Sequence, residues 1–539
     1  MNNYELSQDQ TQAGKRKYPS ATPQLVYPTA TDLKPSIQTN NRQLRDTSAD
    51  CLLALRIFND PPHLFIRANR LVHAGLDEHD RRRIVPVSRD YLAGCLTRAA
   101  DFFHVTEESS VKVGPPSDVV RDLLSRPTGE LNLPRLLAVS ETPLLRPDGS
   151  VIYESGYDPD TCMLYWPSPD LVIPPIPANL CTKGAFDAAD AATDAAIDAA
   201  EVIQDAIGEF PWKDDFSRAN AFALLLTLIV RPLIAGCVPL ALLDAPQQGT
   251  GKGLLAEVTA LIATGSAAAI SAAPQGNDES EWRKTLTSHV YTGNQLVIFD
   301  NLEEPLRSAS LAAAITSETW RDRILGSTAI ITMPQRVVFV ATGNNLTVAG
   351  DLPRRSYWVR MDARSSRPWQ NRKFRHARLK QFIRQNRGRL LGALLTMASA
   401  WFQAGQPAAH SPSLGSFEEW SRIIGGILEF AGVDGFLGNL EDLYQNDPSE
   451  QQWEAFLWAI HVHFESRQFT ARQLSQAMEM KTGELYAALP DELDRKDMSN
   501  KSLGRALLRK VDRRYGHKGL RLEKAGEDRN KVALWRLLI

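Results

Sequence analysis

An apolar run, a glycine-rich turn and a lysine follow one another between residues 240 and 255. The apolar run predicts a strand, and the apolar positions after the lysine predict a helix. In such a turn, glycines let backbone N–H groups face a phosphate, the lysine reaches the terminal phosphates, and the helix N-terminus favours negative charge. The residues expected to contact a triphosphate are consecutive: Gln248, Gly249, Thr250, Gly251, Lys252, Gly253 and Leu254.

Two positions depart from the usual phosphate-loop pattern. Pro246 replaces the first glycine, and Gly253 replaces the Ser or Thr that normally follows the lysine. The hydroxyl that ligates Mg²⁺ is therefore missing, and we expect weaker or water-mediated metal binding. A dinucleotide fingerprint is excluded, because that motif needs no lysine and no acid follows a second strand at the required distance.

Two further apolar runs end in polar side chains. Asp300 ends the first, where a carboxylate is expected to hold Mg²⁺, and Asn344 ends the second, where an amide is expected to sense the γ-phosphate. Asn301 stands where a water-polarising glutamate often follows the acid. Three glutamates remain open for that role: Glu281, Glu303 and Glu304.

Paired arginines follow at Arg354 and Arg355, and they suit bidentate contact with a neighbouring subunit's phosphate. They begin a run, residues 354–389, with thirteen Arg or Lys and one acid. The whole chain carries 61 basic and 63 acidic side chains, so this local excess indicates phosphate contact, to DNA or to nucleotide.

Two other segments could touch nucleic acid. A hairpin turning at Gly326-Ser327 would present Arg321 and Arg323. Residues 501–536 hold twelve basic and four acidic side chains on a helix followed by strand-like runs, as in a winged helix. Its expected DNA contacts are Arg505, Arg509, Lys510 and Arg513.

These sites need a multidomain α/β protein to position them. The chain has 539 residues with ordinary globular composition. Its scattered cysteines exclude a zinc ribbon or disulfide framework, and neither a secretory signal nor an unbroken membrane span is found, so we expect a cytoplasmic protein. The expected layout runs in order: disordered leader 1–48, α+β domain 49–180, Ala/Asp-rich linker helix 181–215, ATPase core with a parallel sheet 216–365, basic helical segment 366–450, winged-helix-like domain 451–539.

The order of these motifs resembles the AAA+ ATPases of the superfamily-3 helicase type, and more closely the primase-helicases of phages, plasmids and other mobile elements, akin to the poxvirus-type proteins. The carrying stretches include 245–255, 281–284, 297–301, 320–326, 341–345 and 350–355. The resemblance implies a ring-shaped oligomer, expected to be a hexamer, that uses ATP and Mg²⁺ to move along DNA in replication. Single-stranded DNA would lie in the pore and duplex at the C-terminal domain. A primase or other replication protein would be a further partner, since the chain would lack a primase domain.

An adaptor or initiator that binds nucleotide and assembles on DNA without unwinding it remains the alternative. Gly253 and Asn301 both favour this alternative, because each removes a group that hydrolysis normally uses. An ATPase assay with and without single-stranded DNA separates the two.

Overall fold

The structure is a computed structural model that describes residues 34–77, 82–146, 148–176, 185–267, 269–274, 278–323, 330–370, 374–445, 448–479, 483–493, 499–516 and 518–539. Most of the expected leader, residues 1–33, lies outside this range. The described chain nevertheless begins its first domain before residue 49, since a strand starts at Ser36 and a helix at Leu44. Ile37, Cys51 and Leu55 are buried in the core of that domain, which explains why the boundary lies earlier than expected.

The N-terminal domain is a mixture of short helices and small sheets. Its helices are α1 (Leu44–Phe58), α2 (Arg89–Ala99), α3 (Ser117–Ser125) and α4 (Thr128–Leu131). Its strands are β1 (Ser36–Gln38), β2 (Leu64–Arg67), β3 (Arg70–Leu76), β4 (Arg82–Pro86), β5 (Asp101–Val105), β6 (Ser110–Val113), β7 (Ala138–Ser140), β8 (Leu144–Leu145), β9 (Val151–Ile152), β10 (Gly156–Asp158) and β11 (Met163–Tyr165). The described residues of this domain therefore combine α-helices with several small sheets.

A parallel sheet forms the centre of the molecule. Within the described residues it has five strands in the order β13-β14-β17-β12-β18, and every neighbouring pair is parallel. The strands are β12 (Leu240–Ala245), β13 (Ala269–Ser271), β14 (Leu296–Leu302), β17 (Val338–Asn344) and β18 (Ser356–Arg360). Their near-continuous apolar sequences fit a sheet that is covered on both faces.

Alternate residues of β12 enter two separate cores. Ala241 and Leu243 face a core that includes the helices α5 (Ala185–Ile207), α6 (Asp215–Val230), α7 (Lys252–Thr264), α10 (Leu379–Gln403) and α11 (Glu418–Phe430). Leu240 and Leu242 face a second core with α8 (Glu279–Thr292), α9 (Ala309–Ile315) and the antiparallel pair β15 (Thr319–Arg323) and β16 (Ile330–Pro334). The short helix α12 (Leu440–Gln445) follows.

The Ala-rich helix α5 belongs to the core and is not a free linker. Ala192, Ala196 and Ile203 are fully buried in the same core as α10. Asp190, Asp194 and Asp198 are exposed on the other side, as the spacing predicts. Small alanine side chains let α10 pack closely on this face, so α5, α10 and α11 belong to one layer of the central unit.

The C-terminal residues form a unit with its own core. Its helices are α13 (Pro448–Phe464), α14 (Ala471–Ala477), α15 (Glu484–Ala487) and α16 (Asn500–Lys510). Its strands β19 (Phe469–Thr470), β20 (Arg514–Tyr515), β21 (Leu520–Glu527) and β22 (Ala533–Leu538) form an antiparallel sheet in the order β19-β22-β21-β20. Leu503 and Leu507 of α16 are completely buried in this core.

None of the described helices combines the length and the apolar character that crossing a membrane requires.

Candidate functional site

The glycine turn joins β12 to α7 at the carboxyl edge of the sheet. Gly249 and Gly251 have φ of 73° and 117°, a region that side-chain-bearing residues rarely adopt. The first main-chain bond after the turn is donated by Leu255 N to Gly251 O. The N–H groups of Lys252, Gly253 and Leu254 therefore lack helical partners and are oriented for a ligand at the start of α7.

Lys252 is the first residue of α7 and is largely buried. Its Nζ donates to Asn344 Oδ1 at 2.6 Å and to Gln247 O at 3.3 Å. Burial lowers the pKa of Lys252, and the carboxylates of Asp244 and Asp300 oppose that shift. The ammonium is thus held at the sheet edge by neutral oxygens, with both acids close enough to act on it.

Asp300 lies two strands from the turn, on β14, and β17 separates β14 from β12. Thr342 Oγ1 of β17 donates to Asp300 Oδ1 at 2.6 Å and accepts from Asn301 N at 3.0 Å. Asn301 has φ of 55°, and the strand register shifts between Phe299 and Leu302. This irregularity leaves the Asp300 side chain exposed at the sheet edge, where a divalent ion could bind it.

Asn344 ends β17 opposite Ala245, the last residue of β12. The strand order therefore brings Lys252, Asn344 and Asp300 to one edge, as their positions after apolar runs predict. The sequence did not predict Thr342 as a residue of this site. A threonine inside an apolar strand has no recognisable function until the fold shows that it contacts Asp300.

Asp244 is a second residue that sequence reasoning missed. It lies inside β12, only 1% exposed, and accepts from Leu346 N at 2.8 Å. Burial raises the pKa of this carboxyl, and Arg360 Nε lies 3.4 Å from its Oδ2. The charge of Asp244 also opposes the fall in the pKa of Lys252 that burial causes.

An aromatic-walled cavity of about 560 Å³ adjoins the turn. A Cβ placed on Gly249 would lie 2.6 Å from Trp369, and one placed on Gly251 would lie 3.3 Å from Phe210. Phe374 also lines the cavity, with Trp369 61% exposed. Its size suits a small organic ligand, and its flat side chains suit a stacked ring.

The paired arginines have different surroundings. Arg355 donates to Ala312 O at 2.7 Å, contacts Thr316 and pairs with Asp351, so its side chain is only 17% exposed. Arg354 pairs with the same Asp351 but is 63% exposed. Of the two, Arg354 is placed to reach another molecule.

Arg354 lies near the amino ends of the parallel strands, whereas the glycine turn follows the carboxyl end of β12. Ser356, which begins β18 just after Arg354, pairs with Leu240 at the start of β12, whereas the turn follows Ala245. Five residues of strand separate the two edges by about 16 Å. Arg354 therefore does not serve the phosphate turn of its own chain.

Several basic side chains of the run 354–389 form ion pairs with acids of the same chain. Arg375 pairs with Asp205 at 2.5 Å, and Lys380 pairs with Glu257 at 2.5 Å. Arg387 is buried beside Glu141 at 3.4 Å. Within its described residues, the run is therefore not one continuous phosphate-binding surface, because acids far away in sequence pair with several of its members.

The expected hairpin between Asp300 and Asn344 is present as β15 and β16. Trp320 Nε1 donates to Thr287 Oγ1 at 2.8 Å, and Asp322 pairs with Arg283 at 2.8 Å, which fixes the base of the hairpin on α8. Arg321 and Arg323 are exposed. The expected turn at 326–327 lies outside the described residues.

The basic helix α16 presents only part of its charge. Arg505 and Arg509 are exposed, and Arg513 is exposed beside Glu450 at 3.6 Å. Lys510 instead lies 3.6 Å from Glu492 and 4.5 Å from the centre of the Trp453 ring, with its side chain 12% exposed. Lys510 therefore stabilises the domain through an ion pair and a cation–π contact.

Among the described residues, no group of three or more His, Cys, Asp or Glu side chains could hold a metal ion alone. Mg²⁺ usually takes one or two carboxylates together with substrate phosphates and water. One exposed carboxylate, Asp300, near a turn with free N–H groups fits this mode of binding.

No family model matches the chain, and no curated protein matches it. Among solved structures, the chain is similar to the C-terminal region (305–718) of NrS-1 in its apo A form, at TM-score 0.36 and 11% identity, over 91% of this chain and 100% of that one. A second structure of that region gives 0.34 and 11%, over 76% and 79%. JCV helicase gives 0.21 and 12%, over 48% and 73%. These scores are too low to support any inference about the activity of this chain.

Proposed function

We propose that this chain is an ATP-dependent DNA helicase or translocase that acts as a ring-shaped oligomer. The observation that carries the proposal is the buried Lys252 at the head of α7, held by Asn344 and acted on by Asp300 at one edge of a parallel sheet. A buried cation that faces orphaned N–H groups is suited to a polyphosphate.

In this proposal the glycine turn is a P-loop. The free N–H groups at the start of α7 bind the phosphates, and Lys252 exchanges its bond to Asn344 for the terminal phosphates. Asn344 is then free to orient water against the γ-phosphate. Asp300, fixed by Thr342, would hold Mg²⁺, which neutralises charge that develops on the transferred phosphoryl group. The nucleobase would stack in the cavity beside Phe210 and Trp369.

Hydrolysis would need a neighbouring subunit. Arg354 is exposed and lies at the opposite edge of the sheet from its own P-loop, so it is suited to contact a nucleotide bound by the next copy. Arg355 is committed to contacts within its own chain and supports the turn that carries Arg354. We assign the role of arginine finger to Arg354 alone.

DNA would meet two surfaces. The β15–β16 hairpin would carry Arg321 and Arg323 into a ring pore, and the C-terminal unit would act as a winged helix with α16 in the major groove of duplex. Arg505, Arg509 and Arg513 remain the proposed contacts, and Lys510 is reassigned to the fold.

Lys252→Ala tests the proposal, with Lys112→Ala, an exposed lysine of the N-terminal domain, as matched control. Loss of a charge-assisted contact to phosphate costs about 1.5–3 kcal/mol, so nucleotide affinity should fall roughly 10- to 150-fold and hydrolysis should stop. Measured ATP turnover with and without single-stranded DNA decides the class. Unchanged turnover in Lys252→Ala would remove the site from the proposal.

The adaptor or initiator remains a second candidate, favoured by Gly253 and Asn301. It predicts nucleotide binding that depends on Lys252, with no turnover and no stimulation by DNA. The two candidates therefore share the binding result and differ in hydrolysis.

A further inference from the structure

A partly open cavity of about 60 Å³ lies between the N-terminal domain and the central sheet. Three arginines line it: Arg67 from β2, Arg231 after α6 and Arg336 before β17. None of the described residues that line it is an Asp or a Glu. The cavity thus joins cationic side chains of two domains with no acid in its wall.

The guanidinium groups bond only to main-chain oxygens among the described residues. Arg67 donates to Tyr291 O at 2.9 Å and Val290 O at 3.0 Å. Arg231 donates to Ile234 O at 3.0 Å and Gly236 O at 2.9 Å, and Arg336 donates to the same Ile234 O. The Nε atoms of Arg67 and Arg231 are buried without a hydrogen-bond partner.

This arrangement is unusual within the molecule. Arg67 and Arg231 are 6% and 7% exposed. Arg387, equally buried, is bonded to Glu141, and Lys252 faces the proposed phosphate site. An uncompensated buried charge is costly, and burial lowers the pKa of Arg231 to about 9. Glu318 acts on Arg231 and Arg336 without forming an ion pair with either among the described contacts.

We propose that this cavity binds one small tetrahedral oxyanion, such as inorganic phosphate or sulfate, that joins the N-terminal domain to the core. A water needs about 10–15 Å³ of such space, so the cavity holds roughly four to six water-sized atoms, which matches a five-atom oxyanion. This site is independent of the P-loop and of any ATPase activity.

The experiment is a melting-temperature titration with phosphate against chloride at constant ionic strength, in a Lys252→Ala background so that the P-loop contributes least. Sulfate and acetate arms separate a tetrahedral oxyanion from a carboxylate. Adding Arg231→Met should raise the half-maximal stabilising phosphate concentration at least tenfold, whereas adding Arg389→Met, which removes an exposed arginine, should not change it. Arg336→Met, which loses one hydrogen bond to a main-chain oxygen, replaces Arg231→Met if that variant does not fold.

Crystals of the unaltered protein soaked in selenate give a second readout that needs no variant. An anomalous selenium peak in the cavity, bonded to Arg231 or Arg336, supports the proposal. Water alone in the cavity overturns it, as do equal phosphate responses in Arg231→Met and Arg389→Met or stabilisation no greater than with chloride. An ATPase assay cannot decide this question either way, so failure here leaves the proposed function untouched.

Discussion

Restoring a hydroxyl at Gly253 tests whether the missing P-loop Ser or Thr limits the protein. Gly253 is the second residue of α7 and is exposed, and a Cβ added there would meet no atom within 4 Å. Gly249 and Gly251 cannot be changed in this way, because both have positive φ and aromatic neighbours. Threonine should therefore fit at residue 253 without a clash, which allows the test to report on chemistry.

Gly253→Thr should strengthen Mg²⁺ binding beside Asp300. A new bond to a charged partner is worth about 1.5–3 kcal/mol, which corresponds to a roughly 10- to 150-fold rise in kcat/KM for Mg-ATP. The assay is steady-state phosphate release with Mg²⁺ titrated at fixed ATP and saturating single-stranded DNA. The Mg²⁺ concentration for half-maximal turnover should fall as well.

Gly253→Val is the matched control, since valine has the shape of threonine without the hydroxyl. Both substitutions should raise helix stability by less than about 1 kcal/mol, because glycine is a poor helix former. Their melting temperatures should therefore lie within about 4 °C of the parent. Equal turnover in the two variants would refute the reasoning, because the hydroxyl would then have no role.

Five other substitutions test the contacts of particular side chains. Arg354→Ala should leave stability and nucleotide binding unchanged but stop ATP hydrolysis, and mixing it with a P-loop variant should restore activity. Arg355→Ala should instead lower the free energy of unfolding, measured in urea, by about 2–3 kcal/mol. Arg509→Ala should reduce the salt slope of duplex binding by about one, and Lys510→Ala should destabilise the C-terminal unit while leaving that slope unchanged. Burial alone would raise the pKa of Asp322, but hydrogen bonds from Arg283 and Thr287 hold it below its usual value. The ionised carboxylate therefore stabilises the folded protein above the pKa of the unfolded state, and this stabilisation is lost as pH falls through the pKa of the folded state. Asp322→Asn should therefore flatten the fall in the free energy of unfolding below about pH 4.

Local patterns were enough to predict the elements that carry the candidate site. The strand, turn and helix around Lys252, the strand that delivers Asp300 and the hairpin between Asp300 and Asn344 all depend on short-range periodicity and turn residues. Parallel strands meet at one edge, so polar residues at their ends could be expected to converge. The parallel five-stranded sheet with its many helices is compatible with the α/β core expected for the same reason.

Long-range partners could not be predicted in this way. Asp244 reads as part of an apolar strand, and only the packing of β18 brings Arg360 beside it. The Ala-rich α5 reads as an isolated helix until α10 covers it. The wall of the nucleotide cavity combines Phe210 with Trp369, which are far apart in sequence, and no pattern links them.

The cations of this chain show why a count of charges is a weak guide to function. Arg387 and Lys510 belong to the two basic segments, yet each forms an ion pair with an acid from elsewhere in the fold. Lys252 and Arg231 belong to no basic run, yet each is buried without a carboxylate in an ion pair among the described contacts. A buried cation without an acid retains the larger part of its attraction for an anion, because little water competes for it. Whether a cation is available to an anion therefore depends on its tertiary partners. The glycine turn predicts Lys252 from sequence, whereas only the fold reveals that Arg231 is buried without an ion-paired acid among the described contacts.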